Sequence, residues 1–106
     1  MKKFILCIAF FCVSLVLPIK AEVIIDVRTI EEYTSGHIEN SLHIEWQAID
    51  EINQSIPKDE KIYLYCRSGN RSGKAQKILI NLGYKDVINL GGISAAAKTL
   101  GLNIVK

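Results

Sequence analysis

The sequence predicts a small α/β domain with a mainly parallel sheet and helices on both faces, preceded by a signal peptide. Three observations carry that expectation. β-Branched apolar runs, led by Val23-Ile24-Ile25-Asp26-Val27, read as strands buried on both sides. Segments with helical spacing lie between those runs, and strands alternating with helices are the signature of α/β architecture. The first 21 residues differ in character from the rest, which leaves residues 22–106 as one domain without repeats, linkers or low-complexity tracts.

The leader begins with Lys2 and Lys3, continues as an apolar run from Phe4 to Leu17 broken only by Ser14, and meets Pro18 before the small residue Ala21. This is the layout of a secretory signal peptide. Its 14-residue apolar run falls short of the ~20 residues of a membrane-spanning helix. Cleavage is expected after Ala21, with export to the periplasm and no membrane association afterwards; an uncleaved anchor is the alternative. Neither Cys7 nor Cys12 follows the small residues of a lipoprotein cleavage site, so lipidation is not expected. Loss of Lys2, Lys3 and Lys20 would leave 10 basic against 11 acidic residues, near −1 rather than the formal +2. No basic stripe with interleaved aromatics points to nucleic acid. Cys66 would then be the one remaining cysteine, which rules out an internal disulfide and flags a free thiol. One cysteine and two histidines do not make a four-ligand structural zinc set, so no metal is expected.

The elements follow in order. After the strand ending at Val27, Thr29 with Glu32 forms a capping box that starts a short helix, closed near Ser35-Gly36. Ser41-Leu42-His43-Ile44 reads as a second short strand. Trp46, Ile49 and Ile52 recur at three-residue steps within Glu45 to Asn53, a small amphipathic helix. Pro57 breaks the chain into a loop. Lys61 to Tyr65 forms the next strand. The longest helix is expected from Ser72 to Leu82, with Ala75, Ile78, Leu79 and Leu82 on one face and Gly83 closing it. Asp86 to Leu90 is a further strand, Gly91-Gly92 a turn, and Ile93 to Leu100 a last helix before Gly101.

The chemistry concentrates in Cys66-Arg67-Ser68-Gly69-Asn70-Arg71-Ser72, between a strand and the longest helix. Ligands of open α/β sheets bind at the carboxyl ends of strands, where Cys66 stands. Ser68 and Gly69 are small enough for the backbone to curl around the sulfur, so that successive N–H groups form an anion-binding nest. A helix N-terminus adds to it, and the thiol is expected to ionise easily. Arg67 and Arg71 can bind an oxyanion such as a sulfonate or phosphate through charge-assisted bonds; Lys74 is a weaker candidate. Cysteine phosphatases space cysteine and arginine by five residues, whereas four separate Cys66 from Arg71. The smaller ring suits one sulfur atom bonded to Cys66, a persulfide, better than a phosphate.

These residues resemble the active-site loop of the rhodanese sulfurtransferases, and three further segments match that family in order. They are Asp26-Val27-Arg28 with Glu32-Tyr33, then Gly36-His37-Ile38-Glu39-Asn40-Ser41, then Asn89-Leu90-Gly91-Gly92-Ile93. The resemblance covers essentially all of residues 22–106 and points to the small periplasmic single-domain type. It implies a ping-pong reaction in which Cys66 takes the sulfane sulfur of thiosulfate, releases sulfite, and passes the sulfur from its persulfide to cyanide or another thiophile, with no metal or cofactor. It further implies that Arg67 and Arg71 hold the thiosulfate oxygens, and that backbone N–H groups from Arg67 through Ser72, including Ser68, Gly69 and Asn70, stabilise the persulfide. Two departures stand out. Only Glu22 separates the cleavage site from the first strand, so the sheet is expected to be one strand short. Ala95-Ala96-Ala97 stands where relatives often carry a bulky aromatic, which implies an open site suited to small ions or a protein acceptor.

Other polar residues are read as structural. His37, just past a helix end, is expected to serve as a hydrogen-bonding residue, and His43 as ordinary. Asp26 is taken as structural, and Arg28 is expected to leave the strand and pair with a helix carboxylate. Trp46 is a packing residue, and Glu31, Glu32 and Glu39 form a solvated acidic face. The alternative function is a persulfide carrier or binding module serving a protein acceptor, with little turnover of its own. A phosphatase or arsenate reductase is disfavoured by the short loop, and a disulfide oxidoreductase by the lack of a second cysteine.

Overall fold

The computed structural model describes residues 22–106. The expected signal peptide, its cleavage site and Cys7 and Cys12 lie outside the described residues. The strands are β1 (Glu22–Asp26), β2 (His37–Ile38), β3 (Leu42–His43), β4 (Lys61–Cys66), β5 (Val87–Gly92) and β6 (Ile104–Val105). The α-helices are α1 (Ile30–Ser35), α2 (Asn70–Asn81) and α3 (Ile93–Leu100), and a 3-10 helix spans Trp46–Gln54. Strands β3, β1, β4 and β5 form, in that order, a four-stranded parallel sheet. The short strands β2 and β6 pair antiparallel in a separate ribbon.

Period-two alternation on β4 sorts its side chains between two cores. Ile62, Leu64 and Cys66 join Ile25, Val27, Ile49, Ile52, Ala75 and Leu79 on the face covered by α2 and the 3-10 helix. Tyr65 joins Ile38, Ala96 and Ala97 on the face covered by α3. The alanines of α3 therefore serve as close-packing residues: Ala96 and Ala97 are buried, while Ala95 is exposed.

Several elements differ from expectation. The segment after β3 is a 3-10 helix, which suits its apolar spacing: side chains three apart eclipse at three residues per turn, and Ile49 and Ile52 are both buried. Helix α2 begins at Asn70 rather than Ser72, because Gly69 takes a left-handed conformation (φ 100°) at its N-cap. Gly91 and Gly92 belong to β5, which carries an irregularity where the pairing shifts from Leu64↔Asn89 to Cys66↔Gly92. The β2–β6 ribbon was not expected.

Arg28 does not pair with a helix carboxylate. It folds back onto Asp26: Nε lies 3.0 Å from both carboxylate oxygens and Nη2 lies 2.7 Å from Oδ2. Nη2 also donates to the Gly36 carbonyl at 2.6 Å. Both side chains are buried, and a carboxylate two residues away is the nearest partner that can neutralise a buried guanidinium. His43 Nε2 contacts the Arg28 backbone carbonyl at 2.7 Å, which ties the chain just past β1 to β3. His37 stacks on Tyr33 with ring centroids 3.8 Å apart, and its Nδ1 contacts the Tyr33 carbonyl at 2.9 Å.

Candidate active site

Cys66 ends β4 with its side chain on the α2 side of the sheet, at the N-terminus of that helix. Its Sγ accepts hydrogen bonds from the Gly69 amide at 2.9 Å, the Ser72 amide at 3.4 Å and the Ser72 hydroxyl at 3.3 Å. Burial pushes the thiol pKa up. The hydrogen bonds of Ser72, together with those from the Ser68 and Gly69 amides, more than offset burial and lower it. The residue itself has no solvent-exposed area.

The loop is pressed against the end of β5. A Cβ on Gly92 would lie 2.6 Å from the Arg67 carbonyl oxygen, closer than real contacts allow. Gly92→Ala is therefore expected to push the Arg67–Gly69 segment off Sγ, costing about 1–3 kcal/mol and raising the Cys66 pKa. Urea unfolding and the pH dependence of alkylation by iodoacetamide check the two effects.

The other expected site residues are placed unequally. Arg67 and Ser68 are exposed on the loop, and Asn70 is exposed at the first position of α2. Arg71 is committed to an ion pair: Nη1 donates to Glu32 Oε1 at 2.8 Å and Nη2 to Oε2 at 3.2 Å. Lys74 is drawn over the Trp46 ring, 4.9 Å from its centroid.

Glu32 is accordingly not part of a solvated acidic face. Besides pairing with Arg71, it completes the capping box of α1, accepting from the Thr29 amide at 3.0 Å while Thr29 Oγ1 accepts from the Glu32 amide at 3.2 Å. The Arg71 guanidinium and the Thr29 donors outweigh burial and hold its carboxyl at about 2, below the ordinary 4.5. Glu39 is also engaged, accepting from the Asn103 amide at 2.7 Å. A depressed carboxylate stabilises the fold above its unfolded value and loses that contribution as pH falls through the folded value. Stability is thus expected to drop between pH about 4.5 and about 2, and Glu32→Gln is expected to flatten that drop in urea-unfolding midpoints.

Asn89 reaches the loop without having been marked as a site residue by its sequence. Its Nδ2 donates to the Gly69 carbonyl at 3.1 Å, and its Oδ1 accepts from the Ser72 hydroxyl at 2.7 Å and the Gly91 amide at 2.9 Å. It thereby holds Gly69 and Ser72, two of the residues that donate to Sγ. The available signal was its place two residues before Gly91-Gly92 in a matched segment, which says nothing of where the side chain goes.

The fold and site together define a class: a parallel α/β domain that carries one cysteine in a donor-lined loop at the head of a central strand. The rhodanese-like domain model matches residues 15–99, and the chain belongs to that family. It is 37% identical over 79 residues to thiosulfate sulfurtransferase PspE of Escherichia coli, covering 73% of this chain and 76% of that protein. It is 42% identical over 83 residues to a sulfurtransferase of Allochromatium vinosum, covering 77% of each. Against the adenylyltransferase and sulfurtransferase UBA4 of Candida albicans it is 37% identical over 81 residues, covering 69% of this chain and spanning only 18% of that longer protein. Among solved structures, a rhodanese with anions from E. coli superposes with a TM-score of 0.72 at 32% identity, over 81% of this chain and 99% of the other. The chain is a rhodanese-like sulfurtransferase.

Proposed function

We propose that this chain takes the sulfane sulfur of thiosulfate onto Cys66 and delivers it to cyanide or another thiophile, in the periplasm after removal of its leader. The observation that carries this reading is the set of donors from Gly69 and Ser72 around Cys66 Sγ at the N-terminus of α2. The Cys66 thiolate attacks the outer sulfur of thiosulfate. An Sγ–S bond forms, the S–S bond of thiosulfate breaks, and sulfite leaves with the bonding electron pair. The outer sulfur keeps one negative charge as Cys66–S–S⁻, which the loop amides stabilise. A thiophile then attacks that outer sulfur and regenerates the thiolate, giving thiocyanate when the acceptor is cyanide.

Arg67, exposed at the loop, is the leading group for the thiosulfate oxygens. Arg71 contributes less of its charge, because Glu32 neutralises much of it. Cys66 itself is fully covered. That covering also favours the second reading, a persulfide carrier that opens to a protein acceptor and turns over small thiophiles slowly. Intact mass spectrometry after thiosulfate treatment tests the first step: a gain of one sulfur atom on Cys66 is expected, and an unchanged mass would reject it. Steady-state thiocyanate formation separates the two readings, being rapid for the enzyme and negligible for the carrier.

A further inference from the structure

The Ser72 hydroxyl has one hydrogen and two acceptors within reach: Cys66 Sγ at 3.3 Å and Asn89 Oδ1 at 2.7 Å. The orientation of the Asn89 amide follows from its other bonds. The Gly91 amide donates to Oδ1 and Nδ2 donates to the Gly69 carbonyl; a flipped amide would set donor against donor and acceptor against acceptor. Asn89 Oδ1 therefore competes with the sulfur for the Ser72 hydrogen. Ser72 is fully buried, so its hydrogen has no water to turn to and must choose between them.

We propose that Asn89 is a positioning residue of sulfur transfer, acting as the alternate acceptor to which the Ser72 hydroxyl turns whenever Sγ carries no charge. With Cys66 as thiolate, the hydroxyl donates to Sγ. Once the sulfane sulfur is attached, the charge lies on the outer sulfur and Sγ is a poor acceptor. The hydroxyl then swings to Asn89 Oδ1, and no buried donor is left unpaired at either stage. The protonated thiol behaves in the same way, with S–H donating to Ser72 Oγ and the hydroxyl donating on to Asn89. The single hydrogen thus follows the charge on Sγ, and Asn89 sets how readily it leaves. The link to sulfur transfer rests on the persulfide reading above; the competition for the hydrogen does not.

Other charges at this end of the sheet come from Arg67 on the loop, Arg71 and the exposed Lys74 on α2, Glu32 on α1, and the Asp26–Arg28 pair at the end of β1. The 3-10 helix carries Asp50 and Glu51, both exposed. Strand β5 and the first turn of α3 bring no charged group, so the contribution of Asn89 is made through hydrogen bonds alone.

The test is the pH midpoint of Cys66 alkylation by iodoacetamide in a double-mutant cycle of Asn89→Ala and Ser72→Ala. Removing the competing acceptor commits the hydroxyl to Sγ. Asn89→Ala should therefore place the midpoint lower, relative to its parent, with Ser72 present than in the Ser72→Ala background, by about half a pH unit or a roughly threefold change in thiolate ratio. Loosening of the Gly69 carbonyl acts equally in both backgrounds and cancels. Equal shifts in the two backgrounds would overturn the proposal. If Asn89→Ala does not fold, Asn89→Asp provides the second reading. Its stronger acceptor should raise the midpoint more with Ser72 present than in the Ser72→Ala background, and an equal rise would again overturn it. The titration uses no sulfur donor, so failure of thiosulfate to load the wild-type cysteine would count against the proposed function and not against the hydroxyl switch.

Discussion

Cys66→Ala is expected to abolish sulfur transfer, with a loss of ~10³-fold or more, because no other group in the loop can form the covalent intermediate. Cys66→Ser is the sharper variant. It keeps an acceptor for the Gly69 and Ser72 amides, so the loop should keep its shape. A serine hydroxyl stays protonated at neutral pH in the same setting, so transfer should still be lost. Steady-state thiocyanate formation, paired with intact mass after thiosulfate treatment, checks both. In the wild type, the loading rate should rise with pH through a midpoint below the ordinary thiol value and level off above it, since only the thiolate attacks. Appreciable loading in Cys66→Ser would show that the sulfur enters elsewhere.

The largest expected loss of stability comes from Arg28→Ala. Asp26 is fully buried and Arg28 nearly so, and each satisfies the other through paired hydrogen bonds. Truncating one partner leaves an uncompensated buried carboxylate and frees the Gly36 carbonyl as well. The expected cost is about 3–5 kcal/mol, against a total of order 5–15 kcal/mol for a typical domain. The variant should therefore be partly unfolded at moderate urea. Replacing both partners together, Asp26→Leu with Arg28→Met, should recover much of that loss because no buried charge remains. A single-variant loss below about 1 kcal/mol would mean that the pair is solvated in solution.

Much of the fold was legible because local patterns and tertiary demands agree. The Thr29–Glu32 capping box is present as the residue types require. The expected strand from Lys61 to Tyr65 is present too, extended by one residue to Cys66. The three-residue spacing of Trp46, Ile49 and Ile52 was legible too, though it marks a 3-10 helix, whose period it matches more closely than that of an α-helix. By contrast, β2 and β6 are two residues each, too short for any period to register, and they exist because residues 66 and 68 positions apart in the chain meet.

The site divides in the same way. The thiol, its small loop residues and the following helix are neighbours in the chain, so their local geometry follows from residue type and spacing. Glu32 and Asn89 reach the loop from 39 and 17 positions away in sequence, from α1 and β5. No local pattern distinguishes an acid that caps its own helix from one that also holds an arginine of the active-site loop. The sequence by itself determined that one cysteine sits in a nest at the head of a strand. The tertiary structure decided that Arg71 is neutralised by Glu32 and that Ser72 is shared with Asn89, because pairing between distant charged and polar groups depends on which elements the fold packs together.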